Sequence, residues 1–110
     1  MNNLGKQGES IAKEYLENNG YKVLKTNYTT KLGEIDIVAK QDEVIVFVEV
    51  KSRSNTKFGL PRESVTPYKQ NKIRTVAMAY LKQFNLLNRS VRFDVIEILD
   101  FNVEHIIDAF

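Results

Sequence analysis

Glu49 and Lys51 stand two residues apart at the end of Val44-Ile45-Val46-Phe47-Val48-Glu49-Val50-Lys51, a run otherwise apolar and rich in β-branched residues. Such a run reads as a strand covered on both faces. Alternation puts Ile45, Phe47, Glu49 and Lys51 on one face and Val44, Val46, Val48 and Val50 on the other, so a carboxylate and an ammonium lie side by side against a core. Taking such groups out of water costs roughly several kcal/mol each unless they are paired or bound. Glu34 to Lys40 offers a second strand, and the short polar Gln41-Asp42-Glu43 joins the two as a hairpin. A two-residue turn at Asp42-Glu43 sets Asp36 opposite Glu49 and Glu34 opposite Lys51, with opposed Cβ atoms roughly 5 Å apart.

Two converging carboxylates with an ammonium beside them call for a cation. An oxygen donor set without histidine or thiolate suits a hard ion that keeps several waters, Mg²⁺ or Mn²⁺. Such an ion polarises a phosphoryl oxygen and activates water, while Lys51 orients the water or offsets developing charge. The chemistry indicated is phosphodiester hydrolysis. The same residues also make a plain salt-bridged hairpin, because Glu-x-Lys is a common triplet; burial of the strand and the presence of Asp36 are what favour the ion.

Asp36, twelve residues, then Glu49-Val50-Lys51 resembles the PD-(D/E)XK nuclease signature, with Ile35-Asp36 in place of Pro-Asp. Gly5-Lys6-Gln7-Gly8-Glu9, Gly20-Tyr21, Asn27, Gly33-Glu34-Ile35-Asp36, Phe47-Val48-Glu49-Val50-Lys51, Phe58-Gly59 and Lys69-Gln70 together resemble the YraN-like family over nearly the whole chain. Its bacterial members are regarded as predicted endonucleases related to archaeal Holliday junction resolvases. The resemblance implies a restriction-endonuclease-like α/β fold, a central mixed β-sheet flanked by helices, and a Mg²⁺-dependent DNA endonuclease acting on branched or Holliday junction DNA. It adds Glu9, a helical glutamate, to Asp36 and Glu49 as a metal ligand, with the carbonyl of Val50 beside them and Gln70 in support. Symmetric cleavage of a junction requires two sites, so the analogy also implies a homodimer.

The elements that must position these groups follow from the pattern. Leu4, Gly8, Ile11, Ala12, Tyr15 and Leu16 recur at helical spacing over residues 4–18, and Asn19-Gly20 ends the helix. Glu9 falls at the rim of that apolar stripe; read without the resemblance, it is an early-turn acid favoured by the helix dipole. Tyr21 to Thr26 reads as a loosely patterned edge strand, and Asn27 to Lys31 as a polar connection. Ser52 to Ser64 has no periodicity, and its Arg53 and Lys57 leave the end of the active strand in position to touch phosphates, with Phe58 available as an anchor. Thr66-Pro67 starts a helix whose stripe is Ile73, Val76, Ala77, Tyr80, Leu81 and Phe84. Projected back one turn, that stripe passes through Lys69, a phosphate contact, and Gln70; Lys72, Arg74 and Lys82 read as solvated surface charges. Val91 to Leu99 is a fourth strand, reached by a parallel crossover expected to be right-handed. Val103 to Ile107 adds an edge strand, and the lone His105 reads as structural.

Composition sets the bounds. The chain of 110 residues reads as one domain, and 43% hydrophobic with 27% charged residues is ordinary for a globular protein. The absence of cysteine excludes disulfides and thiolate metal sites and fits a reducing cytoplasm. No apolar run reaches the ~18 residues of a membrane span. A formal charge of +2 permits nucleic-acid binding without arguing for it, so a DNA surface must come from local clustering. The competing reading is a non-catalytic nucleic-acid-binding or assembly module that keeps the nuclease fold.

Overall fold

The period-2 and period-3.6 runs resolve into seven elements in a computed structural model that describes residues 4–53 and 65–110, with side chains described from Gln7 onward. The order is α1 (Leu4–Asn18), β1 (Lys22–Thr30), β2 (Gly33–Gln41), β3 (Val44–Arg53), α2 (Pro67–Gln83), β4 (Ser90–Leu99) and β5 (Asn102–Ile106). The strands form one sheet in sequential order, with β3 and β4 parallel and every other neighbouring pair antiparallel. The single parallel step is the one that α2 bridges, because a parallel neighbour cannot be reached through a tight turn.

Among the described residues, one helix packs on each face of the sheet. Ile45 and Phe47 of β3 and Val95 of β4 pack with Ile73, Val76, Ala77, Tyr80 and Leu81 of α2. Val46 and Val48 of β3 and Ile96 and Ile98 of β4 pack with Ala12 and Leu16 of α1. The alternation expected for β3 therefore holds, and Ile45 to Val48 are buried on both faces. The result is an α/β architecture, a five-stranded mixed sheet between two helices, consistent with the restriction-endonuclease-like fold. Among the described residues, no helix is long and apolar enough to cross a membrane.

The expected β2–β3 hairpin is present: Gln41 pairs with Val44 and Ile37 with Val48, around a turn in which Asp42 adopts φ +53°. Thr66 caps α2, its hydroxyl accepting from the Lys69 N–H at 3.3 Å, and Pro67 occupies the first turn. Two expectations need correction. Asn27 to Thr30 is part of β1 rather than a connection, and Tyr28 is buried against Tyr80 with ring centroids 5.1 Å apart. Its polar neighbours conceal the strand because β1 is an edge and its other face meets water. Phe84 leaves the stripe as the C-cap of α2, 46% exposed, leaning on the Tyr80 ring.

Side-chain alternation slips beside Asp36. Ile35 packs on the α2 side and Ile37, two residues on, packs on the α1 side. Across the β1–β2 ladder, pairing skips from Thr26↔Ile37 to Tyr28↔Ile35, and the unpaired Asn27 takes φ +52°. Beyond Ile37 the ladder between β2 and β3 ends, whereas β2 stays paired with β1 through Glu34 and Gly33. The two central strands thus part at Asp36.

Candidate metal centre

The gap between β2 and β3 gathers acids from three elements. Carboxylate oxygens of Glu9 from α1 and of Glu34 and Asp36 from β2 all lie within 4.8 Å of one another. Asp36 is fixed from the β3 side, where its Oδ2 accepts the Val50 N–H at 2.8 Å, a donor that the ended ladder leaves without a β2 carbonyl. Asp36 also stands close enough to Glu49 for the two carboxyls to share a proton. Lys51 Nζ lies 3.5 Å from Glu49 Oε2, and both side chains are largely sheltered. Glu49 and Lys51 sit side by side because they share the β3 face that further back carries Ile45 and Phe47.

The electrostatics record crowding of like charge. Burial, the bond to Glu49 and the Glu49 charge push the Asp36 carboxyl up to about 8, against the opposing pull of the Val50 N–H and Lys51. Glu34 is also raised, by burial and then by the charges of Asp36 and Glu9. Three hard oxygen donors, two of them held toward the protonated form by burial and by their neighbours, fit a divalent cation that would relieve the repulsion. Glu9, Glu34 and Asp36 would hold it, with Glu49 adjoining.

The structure brings together Glu9, Asp36, Glu49 and Lys51. Val50 joins them through its N–H, whereas its carbonyl was the group expected. Glu34 belongs with Glu9 and Asp36 rather than opposite Lys51, because the β2–β3 ladder stops before reaching it. Its signal in the sequence was the i, i+2 spacing to Asp36 beside Gly33, which puts two acids on one strand face. Gln70 is half-buried and donates from Nε2 to the Val65 carbonyl at 3.0 Å, anchoring the chain where it enters α2. Lys69 lines a cleft of about 190 Å³ with Gly33, Glu34, Glu49, Lys72, Ile73 and Val76. Lys72, exposed as read from the sequence, also lines this cleft. Arg53, expected as a phosphate contact, has its Nε 3.6 Å from Oε1 of the buried Glu97. Lys57 and Phe58 lie outside the described residues.

His105 is structural, as expected, but it has partners the sequence did not disclose. Its Nε2 meets Asp94 Oδ2 at 2.7 Å, and its Nδ1 meets the Tyr15 hydroxyl at 3.2 Å. Arg92 closes a fork on Asp94 and also donates to the Tyr21 hydroxyl and to Gln41. This network lies on the α1 side, whereas the Glu49–Lys51 pair lies on the α2 side.

The chain matches the profile described as "Uncharacterised protein family UPF0102" over residues 8–98. It is 52% identical over 114 residues to a UPF0102 protein of Clostridioides difficile (strain 630), covering all of both chains. A UPF0102 protein of Clostridium beijerinckii is 47% identical over 113 residues, covering 97% of this chain and 92% of that one. A third, from Persephonella marina, is 44% identical over 106 residues, covering 96% and 91% respectively.

Proposed function

This chain belongs to the uncharacterised protein family UPF0102, and from the geometry of its acidic cluster we propose that it is a divalent-metal-dependent endonuclease that hydrolyses phosphodiester bonds in DNA, branched DNA included. The observation that carries this reading is the convergence of Glu9, Glu34 and Asp36 within 4.8 Å, beside the Glu49–Lys51 pair. Mg²⁺ or Mn²⁺ held there supplies charge stabilisation at a phosphoryl oxygen and an activated water. In the hydrolysis, a water oxygen bonds to phosphorus, the ester P–O bond breaks, and the departing alkoxide takes up a proton.

Glu49 fixes the Lys51 ammonium, and Lys51 holds the attacking water or meets the charge that grows on the phosphoryl oxygens. Asp36, anchored by the Val50 N–H, keeps its carboxylate aimed into the gap between the strands. Lys69 and Lys72, across the cleft from Glu34 and Glu49, bind the phosphate backbone and position the strand. Junction cleavage would use two copies of the chain as a homodimer.

The test is cleavage of labelled four-way junction, flap, single-stranded and linear duplex DNA with Mg²⁺ or Mn²⁺, comparing wild type with Glu49→Gln and Lys51→Ala. Each substitution is expected to lower the rate roughly 100-fold or more. DNA binding by folded wild type without cleavage of any substrate in either metal would overturn the proposal in favour of a non-catalytic binding module.

A further inference from the structure

Two exposed apolar side chains line one cavity next to the acidic cleft. Leu32, in the turn between β1 and β2, is 55% exposed, and Tyr68, in the first turn of α2, is 71% exposed. They line a second cavity of about 210 Å³ together with Asn71, Lys72 and Thr75. Lys72 belongs to both cavities, so the apolar slot and the acid-lined cleft adjoin through one ammonium. Its Nζ stands 5.5 Å from the centre of the Tyr68 ring.

Resting on the nuclease reading above, we infer that the nucleotide next to the scissile phosphate is unpaired, its base lodged between Leu32 and Tyr68 and its phosphate held by Lys69 and Lys72. A ring that stands free of the core presents a flat apolar face, and stacking on an aromatic side chain is how splayed bases of any sequence are held. A base inside a continuous duplex has both faces covered and offers nothing to such a ring. The two lysines select an anion over an uncharged apolar partner, and the slot opens beside the acids that the proposed reaction uses. The Asn71 amide carries both donors and an acceptor for a base edge. The substrate class is therefore DNA with unpaired nucleotides at the cleavage point, such as a flap, a gap or an opened branch.

The slot is read by equilibrium anisotropy in EDTA, where no cleavage intervenes, with labelled flap, single-stranded and blunt duplex DNA. Tyr68 is on the surface, so its replacement leaves the cores intact. Tyr68→Ala is expected to weaken flap and single-strand binding roughly tenfold and duplex binding by less than about twofold, with Tyr68→Phe close to wild type. Lys72→Gln should weaken flap binding and reduce the slope of log K against log salt by about 0.7 to 0.9. Equal loss on flap and duplex in Tyr68→Ala, no loss on either, or no binding by wild type would overturn the inference. Cleavage assays separate the two readings. Flap cleavage with Mg²⁺ and unchanged binding in Tyr68→Ala would remove the slot and leave the nuclease; selective flap-binding loss in a protein that cleaves nothing would keep the slot and remove the nuclease.

Discussion

Asp36 and Asp94 are both drawn out of water, yet their surroundings drive their carboxyls in opposite directions. Burial and the neighbouring Glu49 push Asp36 up to about 8. For Asp94, burial pushes upward too, but hydrogen bonds from His105, from Arg92 and from the Asp108 N–H outweigh it and hold the group below the usual range. The consequences for stability have opposite signs. Between about pH 4 and 8 the folded, metal-free protein keeps a proton on Asp36 that the unfolded chain has released, so stability falls as pH rises through that window. Asp36→Asn, which mimics the neutral acid, should match wild type at about pH 4 and exceed it near pH 8 by on the order of 2 kcal/mol after allowance for solvent screening, measured by urea melts in EDTA. Asp94 contributes stability above the unfolded pKa near 4 that is lost as pH falls through its lowered folded value. Asp94→Asn should therefore flatten the acid limb and cost about 3 kcal/mol at neutral pH, because Arg92 loses its charged partner.

At the scale of elements, the position of Glu9 depends on how closely α1 lies on β3. Gly8 has no side chain, and a Cβ there would collide with Ser52 Oγ and lie 3.1 Å from Ser52 Cβ. The Ser52 hydroxyl is itself buried without a hydrogen-bond partner, a sign that close packing has taken precedence over polar satisfaction. Gly8→Ala is expected to destabilise by about 1 to 2 kcal/mol, the clash exceeding the ~1 kcal/mol that alanine gains in helix propensity. Ser52→Ala should be neutral or stabilising, and the double variant should recover part of the loss in thermal melts. The same dependence explains what was legible in the sequence. Alternation in Val44–Lys51, the Thr66-Pro67 start and the 3.6 period of α1 each rest on residues a few positions apart, so they could be read locally. The grouping of Glu34 with Glu9 could not, because it depends on where the β2–β3 ladder stops and on the backbone turn at Asn27. The partners of His105 lie on α1 and β4, and only the sheet order brings them together.

At the scale of the whole molecule, the acids link separate parts of the fold: Glu9 belongs to the helix on one face, Glu34 and Asp36 to β2, and Glu49 to β3, whose own flank faces α2. A cation bound by these groups binds only the folded chain, since unfolding scatters ligands that are up to forty residues apart in sequence. Its binding energy then adds to global stability by mass action, about 2.7 kcal/mol when the free ion is at a hundred times its dissociation constant. For a chain of this size that corresponds to a rise in melting temperature of roughly 10 °C or more. Millimolar Mn²⁺ or Mg²⁺ should raise the melting temperature of wild type, and Asp36→Asn should abolish most of the rise. Because the ion competes with the proton on Asp36, the shift should grow between pH 6 and about 8. Added potassium at equal ionic strength provides the decisive comparison. Screening of the crowded carboxylates by any salt would give similar rises with K⁺ and Mn²⁺, whereas a built cation site responds to the divalent ion and is silenced by one substitution.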